Sequence, residues 1–123
     1  MENCGIAPLV SIIIPVYNVE KYLIECLDSC LNQTLQNIEI ICIDDASTDN
    51  SSKILEEYAQ KDSRIILIKQ KINKGQGIAK NLGINIATGK YLMFLDSDDW
   101  LELNAVELTY NQICRNKNDS RNR

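Results

Sequence analysis

The sequence predicts an α/β domain: a three-layer sandwich on a mostly parallel sheet. Three observations predict it. Short β-branched runs such as Val10–Val16 are apolar almost throughout, as in strands buried on both faces. Between them lie segments with apolar residues at helical spacing, and strand and helix alternate three times over. The 123 residues, 45% hydrophobic and 24% charged, suit one globular domain and exclude disordered and fibrous classes.

The elements follow in order. Val10-Ser-Ile-Ile-Ile-Pro-Val16 reads as the first strand, with Pro15 expected to end its pairing. Tyr17-Asn18 makes a turn. Glu20 to Asn32 repeats apolar residues at Tyr22, Leu23, Cys26, Leu27, Cys30 and Leu31, an amphipathic helix. Ile38 to Ile43 is the second strand. Asp44-Asp45-Ala46-Ser47-Thr48-Asp49 is rich in helix-capping types and leads into a helix ending near Lys61, with Ile54, Leu55, Tyr58 and Ala59 inward. Ile65 to Ile68 is the third strand, and Lys69 to Gly77 a basic loop. A helix from Ile78 to Ala87 is expected to stop at Thr88-Gly89. Lys90 to Leu95 is the fourth strand and Asp96 to Trp100 a loop. A last helix, Leu103 to Arg115, places Val106, Tyr110 and Ile113 on one face. Residues 1–115 thus form the domain, and Asn116 to Arg123 a polar tail expected to be disordered.

Composition narrows the function classes. A net charge of −4, from 13 Lys+Arg against 17 Asp+Glu, counts against nucleic acid as a partner. No apolar run approaches the ~20 residues of a membrane helix, and no secretory leader is visible. Five cysteines at irregular spacing then suit reduced thiols in a cytoplasmic protein. Cys26 and Cys30 stand one turn apart on an apolar face, which favours core packing over a metal or redox pair. The absence of histidine removes histidine triads, imidazole zinc sites and a histidine general base.

Charge is uneven along the chain. Lys61 to Lys90 holds seven bases and one acid, whereas Asp96 to Glu107 holds five acids and no base. In open α/β sheets, ligands bind beyond the carboxyl ends of the strands where strand order reverses. With a sheet order of 3-2-1-4, assumed from fold logic, the loops at Tyr17-Asn18, Asp44-Asp45 and Asp96-Ser97-Asp98-Asp99 meet there. Like-charged pairs at ~4 Å and an effective dielectric of ~20 cost about 4 kcal/mol each. Converging carboxylates therefore need a cation, hydrogen bonds or protons. Oxygen ligands suit Mg²⁺ or Mn²⁺ bridging a diphosphate. Loop and helix capping is the competing role, favoured for Asp49 and disfavoured for Asp96 and Asp98.

The ordered set Val10-Ser-Ile-Ile-Ile-Pro-Val-Tyr-Asn18, Leu31-Asn-Gln-Thr34, Ile43-Asp-Asp-Ala-Ser-Thr-Asp49, Asn73-Lys-Gly75, Ala79-Lys-Asn-Leu-Gly83, Ala87-Thr-Gly-Lys-Tyr91 and Phe94-Leu-Asp-Ser-Asp-Asp99 resembles the nucleotide-sugar-binding half of family 2 glycosyltransferases with the GT-A, Rossmann-like fold. The resemblance covers about residues 8 to 108. It implies that Tyr17 stacks on the base and that Asp45, with Asp44, hydrogen-bonds the base or ribose. An ionised acid, acceptor-only, suits the N3–H of uracil. It implies that Asp96-Ser-Asp98 is a DXD motif, with Asp96 at the ribose or a metal-bound water and Asp98 on the cation. Asp99 is then an outer or sugar contact, and Pro15 turns the chain toward Tyr17 at the nucleotide. Lys80 stands where the family commonly has Arg; it keeps the charge for phosphate and loses the bidentate fork. Lys74 and Gly75 fit a donor contact and a plain surface loop equally. Gln76 has no assigned role, and Trp100 suits a core or interface anchor better than a sugar platform.

The implied activity is transfer from a nucleotide-diphospho-sugar, a UDP-sugar first, to a saccharide or lipid-linked acceptor. Mn²⁺ or Mg²⁺ is the implied cofactor. No acid after Asp99 sits in a matching motif, so the acceptor site and catalytic base are expected beyond Arg123. The alternative is a non-catalytic nucleotide-binding or dimerisation module. A homodimer and a peripheral contact with the inner face of a membrane are compatible with either. A receiver-like domain fails because the first strand ends in Tyr17-Asn18. A haloacid-type phosphatase fails because Asp96-Ser-Asp98 comes late. A dinucleotide dehydrogenase fails because Gly75-Gln-Gly77 is misplaced and incomplete.

Overall fold

A computed structural model describes residues 7–121. The elements are β1 (Val10–Val16), α1 (Glu20–Leu31), β2 (Ile38–Asp44), α2 (Ser51–Lys61), β3 (Ile65–Lys69), α3 (Gln76–Ile86), β4 (Tyr91–Phe94) and α4 (Ala105–Arg121). The strands form one parallel sheet in the order β3-β2-β1-β4, as expected. The order reverses at β1, between β2 and β4.

Helices cover both faces, which is why β1 and β2 are buried along their whole length. Alternate strand residues point to opposite faces. Ile12, Ile14, Val16, Ile40 and Cys42 share one layer with Leu23, Cys26, Leu27 and Cys30 of α1, Leu55 of α2 and Val106 of α4. Ile13, Ile41 and Ile43 share the other with Ala79 of α3. Each fully buried Leu or Ile contributes about 1.5–3 kcal/mol, so these two apolar layers drive the fold. A Cβ on Gly83 would stand 2.6 Å from Ile13 Cγ2; its absence lets α3 lie directly on β1.

Pro15 does not end the pairing of β1, which stays in register with β2 to Val16↔Asp44. Leu95 N–H donates to the Ile13 carbonyl, and Asp45 N–H to the Val16 carbonyl. Odd residues of this stretch therefore face β4 and even residues face β2. The donor that Pro15 lacks faces the side where β4, whose last partner is Ile13, has already ended.

Thr88-Gly89 is not a helix cap. Helix α3 ends at Ile86, and Ala87 is already extended (φ −63°, ψ 136°). Buried Glu39 instead accepts the Ser11 hydroxyl and the Thr88 N–H, both at 2.6 Å. Gly89 N–H donates to Ser11 Oγ at 2.8 Å, so this turn is strapped to β1 and β2 where β4 begins. Helix α4 runs to Arg121, past the expected end at Arg115, because Asn116 to Arg121 contains no Pro or Gly to stop it. Asn122, Arg123 and Cys4 lie outside the described residues.

Val106 is buried, whereas Tyr110 and Ile113 are half-buried; Tyr110 packs edge-on against Tyr91, ring centroids 5.8 Å apart. Cys26, Cys30 and Cys42 are free and buried, matching the packing role. A hydrogen bond with Cys30 and burial raise the Cys26 thiol, and burial raises Cys42, so both stay protonated. Trp100 is 50% exposed and so is not a core anchor. Among the described residues no helix is long and apolar enough to cross a membrane.

Candidate functional site

A cleft of about 240 Å³ opens beyond the carboxyl ends of β1, β2 and β4. Pro15, Val16, Val19 and Ala79 give it an apolar floor, and Tyr17, Asp45, Gln76, Asp96, Ser97 and Asp98 supply its polar wall. The wall is built by loops that pin one another.

Asn18 follows Tyr17 in the left-handed region, at φ 51°, which Asn tolerates. Its Oδ1 accepts the N–H of Thr48 at 2.7 Å and of Asp49 at 3.2 Å. Asp49 Oδ2 accepts Glu20 N–H at 3.2 Å, its Oδ1 accepts Ser51 N–H at 2.8 Å, and Glu20 Oε1 accepts Asn50 N–H at 3.0 Å. The starts of α1 and α2 thus cap each other, the role expected of Asp49. Burial alone would raise the Asp49 carboxyl; the bonds from Ser51 and Glu20 outweigh it and hold it below the usual range. Ala46, at φ 63°, is strained, and Asp44 Oδ1 closes this turn on Ser47 N–H at 3.0 Å.

Asp45 lines the cleft yet is nearly buried, at 4% exposure. Its Oδ1 accepts Gln70 Nε2–H at 3.1 Å and Lys74 N–H at 2.9 Å; its Oδ2 accepts Gly75 N–H at 2.8 Å. Gly75 has φ 98°, a conformation only glycine adopts without strain, and α3 starts directly after it. One carboxylate therefore shapes the loop that delivers Gln76 and Ala79 to the cleft.

On the opposite side, Asp96 and Asp98 are exposed on the cleft, with buried Ser97 between them. Asp99 N–H donates to the Asp96 carbonyl at 3.0 Å, which closes the turn. Among the described residues the ion pairs, Arg64–Asp62 and Lys69–Glu56, lie elsewhere and involve neither Asp96 nor Asp98.

Of the expected residues, Pro15, Tyr17, Asp45, Asp96 and Asp98 meet at the cleft. Asp44, Lys80 and Asp99 are not among those lining it. Asp44 is turned into its own loop. Lys80 Nζ stands 5.7 Å from the Phe94 ring centroid, because one residue after Ala79 it is rotated about 100° around α3. Asp99 accepts the N–H of Trp100 at 2.9 Å. Among the described residues no three His, Cys, Asp or Glu side chains stand close enough to hold a metal by themselves. Of the five acids in the converging loops, Asp45, Asp96 and Asp98 line the cleft. Val16, Val19, Gln76, Ala79 and Ser97 were not singled out from the sequence as cleft residues. A glycine before a helix, after a third strand, was the available signal for Gln76.

A family model described as Glycosyl transferase family 2 matches residues 11–120. The chain belongs to glycosyl transferase family 2. This family 2 chain is 45% identical over 105 residues to glycosyltransferase GlyG of Streptococcus pneumoniae serotype 4, covering 85% of itself and 35% of GlyG. Staphylococcus aureus TarS 1–349 in complex with UDP superposes at TM-score 0.80 with 30% identity, covering 87% of this chain and 32% of that one. The mannosyltransferase PcManGT of Pyrobaculum calidifontis, solved with GDP-Man and Mn²⁺, superposes at TM-score 0.74 with 25% identity, over 89% of this chain and 32% of that one. The family 2 chain thus spans about a third of the length of these proteins.

Proposed function

We propose that this domain, read from the sequence as residues 1–115, is the donor-binding part of a glycosyltransferase that takes a nucleotide-diphospho-sugar, UDP-linked first, and passes its sugar to a saccharide or lipid-linked acceptor. The observation that carries this is one cleft lined together by Tyr17, Asp45, Asp96 and Asp98. Tyr17, 46% exposed, offers a ring face to a base. Asp45 accepts one N–H on Oδ2, which leaves that oxygen a lone pair for the N3–H of uracil. Gln76 offers both a donor and an acceptor at the mouth of α3.

Asp96 and Asp98 fit a divalent cation that arrives with its diphosphate. Two exposed carboxylates are too few to hold Mn²⁺ or Mg²⁺ alone, and Mg²⁺ typically takes one or two carboxylates plus substrate phosphates. Such an ion supplies Lewis-acid stabilisation of the charge on the departing nucleoside diphosphate. Asp99 and Lys80, whose expected roles are at the sugar and the phosphate, are not among the residues lining the cleft. The acceptor site and general base lie outside these residues, in keeping with the third of the relatives' length that the chain spans. A cytoplasmic location suits a nucleotide-sugar donor.

Thermal unfolding with UDP, with and without Mn²⁺, tests the proposal. Ligand at ~100 times its dissociation constant adds about 2.7 kcal/mol, a shift of several degrees. No shift with any nucleoside diphosphate would overturn it. Sugar release from UDP-glucose or UDP-galactose by residues 1–123 alone would overturn the placement of the base elsewhere. A non-catalytic dimerisation module is the second reading, favoured by Leu92 and Phe94, 42% and 47% exposed on the edge strand β4. Light scattering that finds a dimer without nucleotide binding would support it.

A further inference from the structure

We infer that the end of α1 is the frame that shapes the acidic turn, with Gln33 as its positioning residue. The inference rests on the donor-site assignment of Asp96 and Asp98.

Residues 95–104 connect β4 to α4 without strand or helix. Local bonds close only the turns of this segment: Asp99 N–H to the Asp96 carbonyl, Trp100 N–H to Asp99 Oδ1, and Ala105 N–H to the Glu102 carbonyl. Leu95 at its start is held by the Ile13 carbonyl of β1, and from Asp96 onward the contacts outside the segment come from α1 and from Gln33 and Thr34 just past it. Cys26 Sγ stands 3.8 Å from the Asp96 carbonyl. Ser29 Oγ accepts Leu101 N–H at 3.0 Å while donating to the Cys26 carbonyl at 2.7 Å. Gln33 Nε2 donates to the Ser29 carbonyl at 3.0 Å and to the Glu102 carbonyl at 2.6 Å, and its Oε1 accepts Val106 N–H at 2.9 Å. Thr34 N–H donates to the Leu103 carbonyl at 2.9 Å, and its hydroxyl to Glu107 at 2.6 Å. Successive positions 26, 29, 33 and 34 thus meet successive positions from 96 to 107.

Gln33 is fully buried, and both polar atoms of its amide are engaged. Val106 N–H is one of the amides that the start of α4 cannot satisfy internally. A single amide therefore ties α1, the connection and the first turn of α4 together. This geometry accounts for the Leu31-Asn-Gln-Thr34 segment, which lies outside the cleft. Asp96 and Asp98 are exposed, whereas Cys26 and Gln33, which hold the segment from behind, are buried.

The test uses Gln33→Met, similar in length and without the amide. Amide hydrogen exchange from Leu101 to Val106 is expected to quicken at least ten-fold, with β1 and β2 unchanged. Affinity for UDP with Mn²⁺ is expected to fall at least ten-fold, while metal-free uridine monophosphate, bound by the Tyr17 and Asp45 wall, stays within two-fold. A role in stability alone would lower both affinities together and quicken exchange throughout, which overturns the inference. Should Gln33→Met not fold, Ser29→Ala carries the test through its smaller loss of protection at Leu101. Ser29→Thr, which keeps the hydroxyl, is expected to restore that protection, and failure to do so counts against the frame. Wild-type protein that binds no UDP with Mn²⁺ would overturn the donor-site assignment instead, and the exchange pattern would then decide the frame by itself.

Discussion

Asp45 Oδ2 accepts the backbone N–H of Gly75 at 2.8 Å, across 30 positions of sequence. This bond joins the end of β2 to the residue that turns the chain into α3. The same carboxylate faces the cleft, so loop architecture and ligand recognition share one side chain. Asp45→Asn turns an amide nitrogen toward N–H groups on at least one side. A buried donor left without its acceptor costs about 1–3 kcal/mol. The variant is expected to unfold at lower denaturant with an unchanged slope, and to bind UDP more weakly than its stability loss explains. Unchanged exchange at Lys74 and Gly75 would show that the carboxylate does not hold the loop.

Asp98→Asn separates binding from stability. Asp98 is exposed, and such surface changes usually stay within about ±0.5 kcal/mol. The melting temperature without ligand is expected to hold. The additional shift that Mn²⁺ gives over UDP alone is expected to vanish. A shift that persists unchanged removes Asp98 from the metal assignment.

Two glycines of α3 are expected to respond in opposite directions to alanine. A Cβ on Gly83 meets Ile13 Cγ2 at 2.6 Å, whereas nothing lies within 4 Å of one on Gly77. Gly83→Ala should cost about 1–3 kcal/mol by overpacking. Gly77→Ala should stabilise by about 0.4–1 kcal/mol, since it restricts the unfolded chain without a clash. Equal effects in urea unfolding would mean that α3 does not press on β1 as described.

Acid sensitivity should come from aspartates. The hydrogen bond from Arg64 holds the Asp62 carboxyl below the usual range, and Asp49 is lowered as well. A depressed folded-state pKa contributes stability that is present above the unfolded value near 4 and is lost as pH falls through the folded one. Stability should therefore decline below about pH 4, and less steeply in Asp62→Asn. With no histidine in the chain, it should be nearly flat from about pH 5.5 to 7. A steep change inside that interval would point to an ionisable group unaccounted for here.

Much of the fold was legible in the chain. Val10–Val16 and Ile38 to Ile43 announced buried parallel strands because strands covered on both faces tolerate such predominantly apolar runs. Tyr17, Asp45, Asp96 and Asp98 were legible at the cleft because each lies in a loop that follows a strand, and strand ends of one parallel sheet share one edge. Lys80 and Asp44 were not, since a residue's direction depends on helical rotation or on a turn closing at Ser47. Pro15 misled because pairing on one side of a strand is independent of pairing on the other.

The sequence by itself determined the alternation of elements, the parallel sheet and the absence of imidazole chemistry, all properties of local pattern or composition, and its ordered motifs resemble the family that the chain belongs to. Only the tertiary structure decided what Glu39, Gln33 and Asp45 do. Each is a polar side chain taken out of water, and each is satisfied by at least one partner 28 or more positions away, up to 73. Such partners are set by how helices settle on the sheet, a property no window of neighbouring residues contains.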